Sequence, residues 1–230
     1  MKIVYCTVSV HHNYHLISKS LLDSFLKFTT DSLLLVLTDD ANFYQSYSQY
    51  QNIIILEDKE LVTGVPSVNL NVKYRLLQKA YEYNPEYIIL VDCDAYITDH
   101  IDNEWFRDLP VGINVVIGDV QPASKIQNPT IRKKLLAFNP DENHKYFLFR
   151  EGTLVLHIGG TFLQFVQEWE SLYNYVITNR LTHTSELFEI NIASEKAGYP
   201  INNLGIHPIR SVIWMAERVN GGLAIAPALR

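Results

Sequence analysis

An α/β fold, with a mostly parallel central sheet flanked by helices, is predicted by three observations. Strand and helix signals alternate through the first half of the chain, as successive βαβ units require. The strand signals are continuous apolar runs rather than alternating ones, which marks strands covered on both faces. Those runs close in polar, acid-rich residues, TVS, TDD, ED and DCD. Ligands of open α/β sheets bind beyond the carboxyl ends of the strands, so this acidic edge is the predicted ligand edge.

The elements follow in order. KIVYCTVSV (2–10) is a β-branched run and reads as the first strand. YHLISKSLLDSFLKF (14–28) places apolar residues at 17, 21, 22, 25 and 28 on one helical face. SLLLVLTDD (32–40) is a second strand and, after a tyrosine-rich stretch, NIIILED (52–58) repeats its design. VNLNVKYRLLQKAYEYN (68–84) predicts a helix begun by Ser67 after Pro66, and EYIILVDCD (86–94) a fourth strand. Further on, IDNEWFRDL (101–109) reads as a short helix and GINVVIGDV (112–120) as one strand. NPTIRKKLLAFNP (128–140) is a helix or loop bounded by prolines, and EGTLVLHIGG (151–160) a strand closing in glycines. TFLQFVQEWESLYNYVITN (161–179) is strongly amphipathic, with 162, 165, 166, 169, 172, 173 and 176 on one side. SELFEINIASEKAG (185–198) is a last helix, ended by Gly198. With no repeat, low-complexity segment or linker, the reading is a single domain.

Composition narrows the function classes. A chain of 230 residues, 47% hydrophobic and 19% charged, is long enough for one large domain with a substantial core. Its fourteen tyrosines supply rings with polar tips, which suit wet clefts and sugar faces as well as the edge of a core. A formal net charge of -6 gives no basic footprint, so nucleic acid is a poor partner despite the RKK at 132–134. Cys6 and Cys93 both fall inside apolar strand runs and read as buried free thiols of a reducing compartment. MKIVYCTVSV lacks an extended apolar region and cleavage site, and no run approaches the roughly 18 apolar residues of a membrane span. The expectation is a soluble, cytoplasmic protein. Neither GxGxxG nor GxxxxGK[ST] occurs, against a dinucleotide-binding domain and a P-loop.

YIILVDCDAY (87–96) carries the chemistry. Two carboxylates at the end of a buried strand are costly unless something offsets them: a divalent cation, basic side chains, or water at an exposed strand end. On a strand end, residues i and i+2 point the same way, so Asp92 and Asp94 converge while Cys93 faces the opposite side. Two such carboxylates form a hard oxygen site for Mg²⁺ or Mn²⁺, whose other positions water and substrate phosphates commonly fill.

The element order, the helix containing VKYRLLQKA and the strand IILVDCDAYI together resemble nucleotide-sugar-dependent glycosyltransferases of the GT-A fold, most of all the glycogenin-like and related retaining groups. The resemblance covers residues 1 to about 110 well and the rest loosely. It implies a single Rossmann-like GT-A domain, with residues 1–110 as the nucleotide-sugar half and 111–230 as the acceptor half. The donor would be a nucleoside-diphosphate sugar, a UDP-sugar by analogy, with Mn²⁺ or Mg²⁺ bridging the DxD and the diphosphate. Transfer to a hydroxyl of a carbohydrate or other acceptor would proceed with retention. The resemblance further implies that His207, in NNLGIHPIR, completes the metal site, although the glycine and lysine usual after that histidine are absent here. Lys73 and Arg75 fall beside the donor, or on a solvated helix face; Arg210 falls beside the diphosphate, or is an ordinary loop arginine. Glu186 and Glu189, on one helix face, are candidates for the catalytic carboxylate or for contacts with the transferred sugar, and otherwise surface charges. Thr7, Ser9, Thr38 and Asp39 fall where the family holds base and ribose. His157, inside LVLHIGG, reads as a packed histidine. Two rivals stand beside this reading. One is a sugar-nucleotide-forming nucleotidyltransferase, whose usual glycine-rich basic loop TVSVHHNYH does not resemble. The other is a non-catalytic carbohydrate- or nucleotide-binding module on the same fold. The sequence leaves the oligomeric state open.

Overall fold

The computed structural model describes residues 1–62, 72–149, 152–179, 186–215, 218–219 and 222–223. In chain order the elements are β1 (Ile3–Ser9), α1 (His12–Phe28), β2 (Leu33–Thr38), β3 (Ile53–Glu57), α2 (Lys73–Tyr81), β4 (Tyr87–Val91), β5 (Ala95–Ile97), β6 (Gly112–Val115), β7 (Ile117–Pro122), α3 (Pro129–Phe138), β8 (Lys145–Phe149), β9 (Thr153–His157), α4 (Phe162–Thr178), α5 (Leu187–Ala197), β10 (Ile201–Asn203), α6 (Ile209–Val212), β11 (Ile213–Met215), β12 (Arg218–Val219) and β13 (Gly222–Leu223). Seven strands form the central sheet in the order β10-β6-β9-β4-β1-β2-β3. The pairs β1–β2, β1–β4, β2–β3 and β6–β10 are parallel. The architecture is therefore α/β, with a mostly parallel sheet flanked by helices. No helix among the described residues is long and apolar enough to cross a membrane.

Chain contacts divide the molecule into two compact units. The first comprises Met1–Leu109, Gly152–Val155 and Ile206–Arg230. Its β1 and β4 are buried along their whole length and β2 along all but its first residue, as the continuous apolar runs predict. Burial of each Leu, Ile or Val side chain here contributes about 1.5–3 kcal/mol to folding. β3 departs from the expectation: only Ile53 is buried, because β3 is the terminal strand of the sheet. α1 buries Leu21, Leu22 and Phe25 and packs on β1 and β5. It starts two residues earlier than the apolar pattern indicates, capped from a distance by the Asp39 carboxylate on the His11 N–H at 3.1 Å. α2 buries Leu76, Leu77 and Ala80 and ends ahead of Asn84, whose left-handed backbone (φ 56°) precedes Pro85. The predicted start of that helix at Ser67 lies outside the described residues.

The second unit comprises Pro110–Glu151 and Leu156–Gly205. GINVVIGDV is two strands rather than the predicted one. β6 pairs with β10, while β7 leaves for an antiparallel pair with β8, a strand (KYFLF) not anticipated from the sequence. Gly112 opens β6 at φ 126°, where a Cβ would lie 2.2 Å from the Pro200 carbonyl oxygen, so only glycine fits. The start of α3 is set by Asn128, whose side chain accepts from the Thr130 and Ile131 N–H groups, with Pro129 in the first turn. α4 buries Phe162, Phe165, Val166, Trp169, Leu172, Tyr173 and Val176, the full predicted stripe, and packs on α5. α5 ends at Gly198 in the left-handed region (φ 62°).

Candidate functional site

In the first unit the carboxyl ends of the parallel strands define the ligand edge, and register places Ser9, Thr38 and Glu57 in one row across β1, β2 and β3. Behind that row the residues are already bonded to one another. Tyr44 donates its phenolic hydrogen to Ser9 Oγ at 2.7 Å and lies 2.7 Å from Ser18 Oγ. His15 Nε2 lies 2.8 Å from Asp39 Oδ1 and 3.1 Å from Thr38 Oγ1, which also accepts from the Asp40 N–H. Asp39 further accepts from the His11 N–H, holding that residue at φ 72°, a costly conformation for a side chain with a Cβ. Thr7, Ser9 and Thr38 are fully buried, and Thr7 Oγ1 and His15 Nδ1 have no hydrogen-bond partner among the described residues. His15 and Tyr44 thus organise this part of the edge, although neither is a candidate from sequence. The signal for His15 is its place one turn into the helix that follows β1.

The β4 end is different. Asp92 follows the strand directly, its N–H donating to the Gly152 carbonyl at 2.9 Å and its own carbonyl accepting from the Ala95 N–H at 3.0 Å. DCDA is therefore a tight turn between β4 and β5 rather than a strand end. Burial nevertheless alternates through it: Val91, Cys93, Ala95 and Ile97 are buried, while Asp92, Asp94 and Tyr96 are partly exposed. Burial first, then the charges of Asp94 and Asp92, push the Cys93 thiol up, so both carboxylates act on the sulfur beneath them.

Lys73, the first residue of α2, sends its ammonium to Asp92 Oδ1 at 2.7 Å. Its side chain is 9% exposed, whereas that of Asp92 is 32% exposed, so the pair lies at the boundary of core and solvent. The solvated-face reading of Lys73 is thereby corrected: the side chain is buried against a carboxylate. Arg75 turns elsewhere and donates to Asp58 Oδ2 at 3.0 Å, beyond β3. Arg210 is exposed on the four-residue α6.

The structure does not bring His207 to the two aspartates as a third ligand. Its Nε2 lies 2.8 Å from the Trp105 carbonyl, an acceptor only, so Nε2 carries the hydrogen; Nδ1 faces the Ile209 N–H at 3.4 Å. Among the described residues no three His, Cys, Asp or Glu side chains group as a metal site. What remains is the carboxylate pair, and hard oxygens half open to solvent fit Mg²⁺ or Mn²⁺ that completes its shell with water and phosphate oxygens.

Glu186 and Glu189 belong to the second unit, and both are buried rather than surface charges. Glu189 is ion-paired with Lys134, the two side chains being 1% and 2% exposed. Glu186 stands at the start of α5 and accepts from the Ile190 N–H through its carbonyl. His157, half-buried, accepts from Tyr199 Oη through its carbonyl, in keeping with a packed histidine. The second unit also holds a cavity of about 440 Å³ beside Tyr146, Asn191 and Glu195, lined by none of the catalytic, donor-binding or metal candidates. No family model matches the chain, and no curated protein matches it.

Proposed function

We propose that the protein is a metal-dependent glycosyltransferase of GT-A type, moving a sugar from a nucleoside-diphosphate sugar, a UDP-sugar by resemblance, to a hydroxyl acceptor with retention. One observation carries the reading: a half-open carboxylate pair, Asp92 and Asp94, at the end of a fully buried central strand, with a lysine ammonium already seated on one carboxylate. Asp92 and Asp94 would hold Mn²⁺ or Mg²⁺, which when bound would offset the charge developing on the departing nucleoside diphosphate. Lys73 fixes the Asp92 carboxylate and adds positive charge to an otherwise acidic edge, so that an anionic diphosphate is tolerated there. The acceptor oxygen forms its bond to the anomeric carbon as the bond to the diphosphate oxygen breaks. The acceptor proton passes to the departing phosphate. Glu189 enters this reading as a structural carboxylate, since Lys134 already neutralises it inside the second unit.

A second reading has one observation in its favour. The Lys73–Asp92 ion pair neutralises a carboxylate without any metal, as a non-catalytic carbohydrate- or nucleotide-binding module would need. Release of nucleoside diphosphate from a panel of sugar nucleotides, with Mn²⁺, with Mg²⁺ and with chelator, separates the two. Metal-dependent release that Asp94→Asn abolishes is the expected result. Absence of release from every donor, with no calorimetric uptake of metal or nucleotide, rejects the transferase.

A further inference from the structure

The alternation of burial that runs through the DCDA turn continues into β5. Ala95 and Ile97 face the core, so Tyr96 faces outward on the same side as Asp94. β5 pairs antiparallel with β11, and the register sets Trp214 directly opposite Tyr96. Directly opposed residues of an antiparallel pair have their Cβ atoms about 4.5–5.5 Å apart on one face. The two side chains therefore leave β5 and β11 on one outward face, Tyr96 two residues along the chain from Asp94. Trp214 is 54% exposed, the largest exposed ring among the described residues. Its indole is nonetheless fixed, because Nε1–H donates to the Ser211 carbonyl at 2.7 Å. A large aromatic side chain held by its one polar atom while its face stays in water is poised to stack on a ligand, since little freedom is lost on binding.

We infer that Tyr96 and Trp214 form the platform on which a neutral pyranose ring of the acceptor stacks; this rests on the transferase reading and names its acceptor as a carbohydrate. One face of a pyranose is lined with weakly positive C–H bonds, which suit the negative face of an aromatic ring, while its hydroxyls point outward to polar neighbours. Those neighbours are present: Asp94 and Thr98 flank Tyr96 on the same side of the chain and accept hydrogen bonds from hydroxyls. An anionic ring ligand would meet the carboxylates unfavourably here. The spacing also fits. Only one residue separates Tyr96 from Asp94 in the chain, so an acceptor on the platform has its hydroxyls close to a donor held at the aspartates.

The test is an ¹⁵N-indole spectrum of the ¹⁵N-labelled chain. Its three tryptophans give three signals, and the one lost in Trp214→Phe belongs to Trp214. The probes are methyl α-glucopyranoside, methyl β-galactopyranoside, lactose, maltose and, separately, UDP. The expected result is a saturable shift of the Trp214 signal by at least one glycoside, weakened roughly tenfold or more by Tyr96→Ser, the loss expected on truncating an aromatic anchor. In turnover with the same glycoside, Trp214→Ala raises the acceptor KM. Trp214 is exposed and Tyr96 partly so, and an unshifted Trp105 signal, from the unit that carries both rings, reports that each variant is folded. A Trp214 signal that none of the four glycosides moves, or that only UDP moves, overturns the inference. Metal-dependent nucleotide release with an acceptor KM indifferent to Trp214→Ala overturns the platform and leaves the transferase standing. Glycoside binding at Trp214 without nucleotide release does the reverse.

Discussion

Replacing Lys134 by Met tests whether Glu189 is structural or catalytic. Lys134 and Glu189 form an ion pair with side chains 2% and 1% exposed, so neither charge has water to fall back on. Removing the lysine takes the paired ammonium from a carboxylate in the interior of the second unit, and breaking such a buried pair costs about 3–5 kcal/mol. That is a rise of roughly 150- to 5,000-fold in the unfolded-to-folded ratio. With a urea dependence of about 3 kcal/mol per molar for a chain of this size, the unfolding midpoint falls by about 1–1.7 M. The double variant Lys134→Met/Glu189→Leu replaces both charges with apolar groups and recovers most of the loss, because the desolvation cost of both ions disappears together. The assay is urea unfolding followed by far-ultraviolet circular dichroism on the wild type, the two single variants and the double variant. A Lys134→Met midpoint within about 0.3 M of wild type, equivalent to about 1 kcal/mol, would refute a tight internal pair. So would a Glu189→Gln variant that unfolds normally but has lost all nucleotide release, since that is how a catalytic carboxylate behaves.

Two further outcomes follow, the first of them in the first unit. Asp39→Ala removes the acceptor for the His11 N–H and for His15 Nε2 and leaves His11 unsupported at φ 72°. The expected loss is about 2–3 kcal/mol in urea unfolding; Asp40→Ala, which removes only an exposed bond to the Asn42 N–H, costs about 0.5–1 kcal/mol. If the two variants unfold alike, Asp39 does not hold the start of α1. Alkaline titration followed at the phenolate absorbance tests the buried tyrosines of both units. Burial pushes Tyr44 and Tyr146 up to about 12, and raises Tyr5, Tyr47 and Tyr199 as well. A phenol with a raised folded pKa stabilises fully below its unfolded value near 10 and loses that contribution as pH rises through the folded value. Phenolate absorbance and loss of secondary structure are therefore expected together between about pH 10 and 12. Full ionisation of the fourteen tyrosines near pH 10 with the fold intact would contradict their burial.

The elements most legible in the sequence are those whose neighbours are fixed by a single periodic pattern. All seven positions of the α4 stripe are buried, and β1 and β4 are buried throughout, because one face or two of unbroken apolar surface leaves few alternatives. What the sequence leaves hidden depends on distant partners. β8 is invisible in KYFLF until β7 is seen to leave GINVVIGDV and pair with it. The early start of α1 is set by Asp39, twenty-eight positions from the N–H it caps. The two aspartates of DCD are legible as a half-open pair, but the turn that carries them is not, since a buried strand end and a tight turn present the same alternation over four residues. His207 attracts attention for its loop of Gly, Pro and His, and only the structure reveals the Trp105 carbonyl that occupies its ring.

The acidic row at the strand ends is therefore two sites of different character. At β1 and β2 the carboxylate and hydroxyls are internal: Asp39 is occupied by His11 and His15, Ser9 by Tyr44, and Thr38 by His15 and the Asp40 N–H. A ligand would have to displace these bonds, each of which costs about 0.5–1.5 kcal/mol net to lose, before gaining any of its own. At β4 Asp92 is one-third exposed, and only one of its oxygens is taken by Lys73. Asp92 and Asp94 are both partly exposed, so carboxylate oxygen faces solvent there. At the far edge of the sheet, Asp58 is drawn off by Arg75, which thins the acid beyond β3. Among the described strand ends, the turn after β4 is where a pair of partly exposed carboxylates meets solvent. Asp92→Asn and Asp94→Asn should accordingly reduce cation binding in calorimetry, while Asp39→Asn should reach the cation only through stability. Equal loss of cation affinity in all three, with folding intact, would show that the edge acts as one site.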